Sequence, residues 1–275
     1  MKILEKNRYA ILLEPVKKMS INHYCARAVL ENQVDGQVYV DDLNNPLAFL
    51  IVHPYGMSFL SGKTENPSFI NALKSYMLNQ KGERDRTEWL QAYPENWNRL
   101  IEDFLGEKLV NTGDMNGEKK GFVGENHRVN FKFNAQKYSQ FRKEFLTGNL
   151  EILQVSKKWF DEIEGSVIPK NFWRTADDFY RIGKGFSVVM DGKPVSTAFS
   201  AFVFENDLEL GIETIGNYRG KSLAAHACCA LIDYCLQKGL EPVWSCRLEN
   251  TASYLLAQKL GFEPTVYLPF YKLNT

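Results

Sequence analysis

TIGNYRGKSLAAHACCALIDYCL, residues Thr214–Leu236, joins the end of a strand-like segment to a basic glycine turn and then to an amphipathic helix, with almost no linker between them. A turn that opens directly into a helix aims several backbone N–H groups, together with the positive end of the helix dipole, at one point. Such a point suits a phosphate. Gly220 lets the backbone approach a ligand closely, and Arg219 and Lys221 add positive charge. The small residues Ala224, Ala225, Ala227 and Cys228 allow the helix to lie near a sheet.

Two phosphate-loop readings compete, and spacing separates them. A Walker A loop requires glycine, four residues, then Gly-Lys-Ser or Gly-Lys-Thr. Gly220-Lys221-Ser222 supplies the end, but the residue five before Gly220 is Ile215, and Gly216 comes one place too late. The preceding strand also carries Glu209 and Glu213 on one face, which sits badly beside nucleotide phosphates. A P-loop nucleotide binder is therefore the least favoured reading.

The run Tyr218–Ala224 resembles the pyrophosphate loop of the GNAT superfamily of acyl-CoA-dependent N-acyltransferases: Gln or Arg, two residues, Gly, one residue, then Gly or Ala. Arg219, Ser222 and Ala224 fill those places. Ser222 stands where the family usually has glycine, and a serine at a helix start is expected to act as an N-cap. A second segment, WSCRLENTASYLLAQKLGFEP from Trp244, resembles the superfamily's second CoA-binding motif, with Asn250, Ser253, Leu256, Lys259, Gly261 and Phe262 in register. Each has an ordinary structural reading as well: Asn250 as a helix cap, Gly261 as the residue after the helix, Leu256 and Phe262 as core. What that ordinary reading lacks is both motifs in order, joined by one helix and one strand.

The resemblance implies acetyl-CoA as cosubstrate, held by Ile212, Thr214, Arg219, Gly220, Lys221, Ser222, Leu223, Ala224, Ala225 and Asn250. It implies direct attack by the primary amine of a small molecule, with Ile212-Glu213-Thr214 along the pantetheine and a backbone N–H near Thr214 on the thioester oxygen. Glu213 is the favoured general base, and Glu209 on the same strand face is the next candidate. Two positions depart from the family. Ala257 stands where a tyrosine often protonates the leaving thiolate, and Ser245 stands where some relatives carry an acidic base. Tyr254, Tyr267 and Tyr271 are the substitutes in reach of sequence reasoning, although tyrosine is more often a packing residue. A CoA thiol, with a pKa of about 8 to 9 by analogy with cysteine, leaves without a strong acid at some cost in rate. The alternative function is a non-catalytic acyl-CoA-binding or sensing protein, which Ala257 and Ser222 permit.

Composition bounds the partners. In 275 residues, 44% are hydrophobic and 24% charged, and 33 basic residues balance 33 acidic ones. Nothing global argues for nucleic acid or an anionic membrane. No stretch is long and apolar enough for a transmembrane helix, and Glu5, Lys6 and Arg8 interrupt the N-terminal apolar residues, so a cytoplasmic protein is expected. The five cysteines form no C-x-x-C pair; Cys228 and Cys235 share a helix face with Leu231 and are read as core. His23, His53, His127 and His226 lack ligand spacing, and no metal is expected.

Periodicity divides the chain into two halves, 1–126 and 127–275, with the glycine-rich segment Asn111–Asn126 as the boundary. The fold class expected is α/β (α+β), a mixed, largely antiparallel sheet flanked by helices. In the first half, helices are expected at Ile21–Leu30, Pro67–Leu78 and Pro94–Leu105, and strands at Gln37–Val40, Leu47–Val52 and Ser58–Ser61. In the second, the order is strand Arg128–Phe133, helix Ala135–Leu146, strand Leu150–Gln154, helices Lys157–Glu164 and Ala176–Arg181, and a meander Gly185–Asp191, Lys193–Phe204, Leu208–Thr214 turning at Asp191-Gly192. Helix Ser222–Lys238, strand Val243–Cys246, helix Thr251–Leu260 and strand Val266–Leu268 complete it, which is the order of a GNAT domain. Two readings of the first half stand side by side: a degenerate copy of the same fold, or an unrelated α/β cap.

Overall fold

A computed structural model describes residues 1–112, 120–145, 148 and 150–275. The middle of the expected boundary segment Asn111–Asn126 and the expected helix end at Leu146 lie outside the described residues. The chain forms two compact units, Met1–Val129 with Arg247–Glu249 and Tyr267–Thr275, and Asn130–Cys246 with Asn250–Val266. A linear division at 126/127 thus differs in that two later pieces of chain belong to the first unit.

The first unit contains β1 (Lys2–Ile3), a 3-10 turn at Lys6–Leu12, α1 (Leu13–Lys17), α2 (Tyr24–Leu30), β2 (Gln37–Val40), β3 (Ala48–His53), β4 (Met57–Gly62), α3 (Pro67–Met77), β5 (Glu88–Tyr93), α4 (Asn96–Leu105) and β6 (Leu109–Asn111), followed by the start of β7 (Val123–Phe133). Strands run β1-β2-β3-β4-β5, all antiparallel except β4 beside β5. Strand β5 has no counterpart in the sequence reading. It matters because the C-terminal residues Phe270–Leu273 pair with it antiparallel, drawing the chain end into this unit. Leu60, Leu73, Leu90, Trp97 and Ile101 are fully buried where α3 and α4 cover the sheet.

The chain continues through the second unit with α5 (Ala135–Glu144), β8 (Glu151–Gln154), α6 (Lys157–Glu162), a 3-10 turn at Pro169–Asn171, α7 (Ala176–Arg181), β9 (Gly185–Met190), β10 (Lys193–Phe204), β11 (Asp207–Thr214), α8 (Leu223–Lys238), β12 (Glu241–Val243), β13 (Ser245–Arg247, its last residue in the first unit), α9 (Thr251–Lys259) and β14 (Phe262–Leu273, in the first unit from Tyr267 on). Its five-stranded sheet has the order β12-β11-β10-β9-β8. Every pair is antiparallel except β11 with β12. Asp191 (φ 50°) and Gly192 (φ 72°) turn the first hairpin with both residues left-handed, the geometry that matches strand twist.

Helix α8 packs across β9, β10 and β11. Ala227, Cys228, Leu231, Ile232 and Cys235 are all 0% exposed along it. Burying one Leu or Ile side chain in this way contributes about 1.5–3 kcal/mol. All five cysteines are buried and outside any disulfide. Burial pushes the thiols of Cys228, Cys229 and Cys235 up, Cys229 to about 11 and Cys235 to about 12, so these three pack as small apolar groups. The helix ends at Gly239, whose left-handed backbone (φ 69°) lets its N–H reach back to the last carbonyls. Tyr138 of α5 ties to α8 by donating to the Cys229 carbonyl (3.1 Å) and to Asp233 (2.6 Å).

Candidate active site

The site begins where two parallel strands part. β11 and β12 pair at Asp207↔Glu241, Leu208↔Pro242 and Glu209↔Val243, and the ladder stops there. The next residue, Trp244, gives its carbonyl to the N–H of Phe131 instead (3.2 Å), with its ring against Phe262. One continuous strand was expected over Val243–Cys246; it is broken at this residue. Among the described residues, no strand pairs with the β12-side edge of β11 from Leu210 to Thr214. The result is a fork with one arm of β11 left without a strand partner on that edge.

The phosphate-type turn lies at the open end of that arm. After a 3-10 turn at Gly216–Tyr218, Gly220 takes φ 77° and Ser222 takes φ 59°, ψ 10°, and α8 follows. The expectation that Ser222 caps the helix with its side chain is not met: it makes no capping hydrogen bond. It adopts instead the left-handed conformation natural to the glycine it replaces, at a cost of about 1–3 kcal/mol. The first bonds of the helix run from Ala225 N (3.1 Å) and His226 N (3.4 Å) to the Ser222 carbonyl. No side-chain cap takes the N–H groups ahead of them, so the turn keeps its anion-binding character.

The turn and the Ile212–Thr214 end of the unpaired arm border one cavity of about 420 Å³. Of the residues expected to hold a cosubstrate, Ile212, Thr214, Arg219, Gly220, Ser222, Leu223, Ala224, Ala225 and Asn250 all line it. Lys221 is the exception; its ammonium lies over the Tyr218 ring, 5.3 Å from the centroid. Asn250 also caps α9 by accepting from Ser253 N (3.3 Å), so its ordinary and its site readings coexist. Ser253, Leu256 and Lys259 of α9 complete that side.

The carboxylates divide into two environments. Glu213, expected as the general base, accepts on Oε2 from Ser166 N (3.0 Å), Ser166 Oγ (3.1 Å) and Val167 N (3.1 Å), and on Oε1 from Arg219 (3.0 Å). Burial alone would raise its pKa, but these donors outweigh it and hold the carboxyl below the usual range. Four donors on one carboxyl favour its charged form and leave its oxygens occupied, which makes it a weak proton acceptor. Glu209 sits at the point of the fork, buried, and accepts from the hydroxyl of Ser245.

Tyr254, Tyr267 and Tyr271, the candidate substitutes for the missing acid, are not among the residues that line this cavity. Ala257 is 0% exposed, and Tyr271 is fully buried in the first unit, donating to Asn98 (3.1 Å). Tyr267 is 49% exposed, and Tyr254 packs on Phe131 at 5.6 Å between ring centroids. The cavity residues that sequence reasoning missed are Ser166, Val167 and Ala252, of which the first two contact Glu213. Glu213 lies more than forty positions later in the chain, and no motif marks the pair.

Comparisons with known proteins place the chain in a family. A family model described as GNAT acetyltransferase matches residues 16–271. The chain belongs to the GNAT acetyltransferase family. An N-acetyltransferase of Bacillus subtilis (strain 168), YdfB, itself uncharacterized, is 26% identical over 274 residues, covering 98% of this chain and 97% of its own length. A crystal structure of a GCN5-related N-acetyltransferase-like protein from Streptococcus suis 89/1591 superposes with a TM-score of 0.70 at 21% identity, covering 96% of this chain and 99% of that one. A tandem GNAT protein from the clavulanic acid biosynthesis pathway, solved without acetyl-CoA, shares the fold with a TM-score of 0.59 at 11% identity, over 99% of this chain and 97% of that one. Among the described residues, no helix is long and apolar enough to cross a membrane.

Proposed function

We propose that this protein transfers an acetyl group from acetyl-CoA to the primary amine of a small molecule, in one ternary complex. The observation that carries the reading is the uncapped start of α8 opening into the same cavity as the unpaired arm of β11. Backbone N–H groups of Gly220–Ala224 suit a pyrophosphate, and the main chain of Ile212–Thr214 suits the amide-bearing pantetheine as an added strand would. An N–H at the end of β11 then stabilises the thioester oxygen as it gains charge.

The amine nitrogen attacks the thioester carbon, the C–S bond breaks, and CoA leaves as its thiolate. Glu209, hydrogen-bonded by Ser245 where β11 and β12 part, takes the amine proton directly or through water. With alanine at position 257, the thiolate is protonated from solvent. The first unit is read, within this proposal, as a degenerate copy of the same fold that carries no CoA site. Release of CoA thiol from acetyl-CoA with a panel of primary amines tests the reading. CoA binding without turnover on any amine instead favours the acyl-CoA-binding protein, for which the buried Ala257 is the supporting observation.

A further inference from the structure

Glu213 is more than a base candidate set aside. Its side chain, 10% exposed, holds together two segments that are distant in sequence. One oxygen takes three donors from Ser166 and Val167, and the other takes Arg219, whose Nε also donates to the Thr214 carbonyl (3.0 Å). Asn171 closes the first segment on itself by donating to the Ser166 carbonyl (2.9 Å). Gly165 has φ 140°, and a Cβ there would meet Glu213 Cγ at 2.5 Å, so the backbone comes as near to this carboxylate as glycine alone permits. Ser166, Val167, Glu213 and Arg219 all border the cavity.

We propose that Glu213 is a positioning residue that clamps the segment Gly165–Val167 to the phosphate turn and thereby fixes one wall of the acyl-CoA cavity. The proposal rests on the acyl-CoA reading above. Without the clamp, Arg219 loses its anchor on Glu213, and the wall formed by Ser166 and Val167 is released from the end of β11. Acyl-CoA then pays the ordering of this wall on binding, so the loss falls on KM. A base role predicts the opposite: a fall in kcat, a displaced acidic limb of its pH profile, and an unchanged KM.

The test uses the full chain, with steady-state kinetics in acetyl-CoA and calorimetric titration of CoA for wild type, Glu213→Gln, Gly165→Ala and the double variant. Expected is a KM for acetyl-CoA raised about ten- to hundredfold in Glu213→Gln, with the acidic limb of the kcat profile unmoved. Gly165→Ala, which removes no titratable group, is expected to raise KM similarly, and the double variant to be no worse than the poorer single. Unchanged KM with kcat down a hundredfold or more, or additive effects in the double variant, overturns the clamp. Should Glu213→Gln fail to fold, as a thermal melt would show, Gly165→Ala decides alone: wild-type KM in that variant overturns the proposal. Absence of CoA binding by the wild type itself overturns the acyl-CoA reading, and the clamp with it.

Discussion

Each unit contains a strand, a turn and a helix beside a parallel strand pair, and the two solve the same local problem in opposite ways. In the first, β4 and β5 stay zipped from Met57↔Trp89 through Ser61↔Tyr93, and α3 is closed by Asn66, which accepts from Ser68 N and Phe69 N (both 3.1 Å), with Pro67 lacking a donor altogether. In the second, β11 and β12 part after Glu209↔Val243, and α8 starts from a left-handed serine with no capping bond. Pairing and capping satisfy backbone groups from within and leave nothing for a ligand. Parting and an uncapped turn leave those groups to be satisfied from outside. The comparison teaches that a missing cap and a broken ladder, defects by stability alone, are what a binding site requires.

The largest effect expected on the open side is chemical. Glu209→Gln should lower kcat by about two to four powers of ten while changing CoA affinity little. The deficit should shrink at high pH, because the amine then arrives already deprotonated. Full activity of this variant at neutral pH would remove Glu209 from the mechanism.

Next comes the pH dependence of the Glu213 contacts. Its pKa is lowered on folding, so the stability it contributes is fully present above the ordinary value of 4.5 and is lost as pH falls through the lower folded value. The protection of the Ser166 and Val167 amides, measured relative to their intrinsic exchange rates at each pH, should therefore fall on acidification in step with the carboxyl carbon shift of Glu213. Protection that persists after that carboxyl has titrated would show that other contacts hold the segment.

The smallest effects bear on the comparison itself. Asn66→Ala should destabilise the first unit by about 1 kcal/mol and leave CoA binding untouched. Ser222→Gly should stabilise by a similar amount, about 1 kcal/mol, by relieving left-handed strain, and should keep or improve CoA affinity. Thermal melts with and without CoA check both. A loss of stability in Ser222→Gly would mean that the serine side chain holds the turn after all.

Much of the open unit was legible because its signals are local. The bounds of β10 and α7 follow from alternation and helix spacing, and the turn at Asp191-Gly192 follows from residue type. The phosphate turn announced itself through glycine, charge and small residues within one run. What escaped was non-local or masked by polarity. β5 buries Glu88, which receives the Tyr76 hydroxyl at 2.8 Å, and Gln91, so it shows no clean alternation. The break at Trp244 hides in an apolar run, since only pairing with β7 reveals it. The fate of Glu213 depends on Ser166 and Val167, far upstream, which no spacing rule connects to it. Even the departure at Ser222 was read as a cap, when its backbone, not its side chain, carries the role.

The central claim, that acyl-CoA binds where α8 starts uncapped beside the parted strands, is tested most directly by calorimetric titration of CoA into wild type and into the variant in which Gly220 and Lys221 are both replaced by Glu. Gly220 has a left-handed backbone (φ 77°) at the turn, and two carboxylates there oppose a pyrophosphate both sterically and electrostatically. The account predicts CoA binding to the wild type and its loss in the variant, with the fold retained by circular dichroism. Unchanged CoA affinity in a folded variant would contradict it.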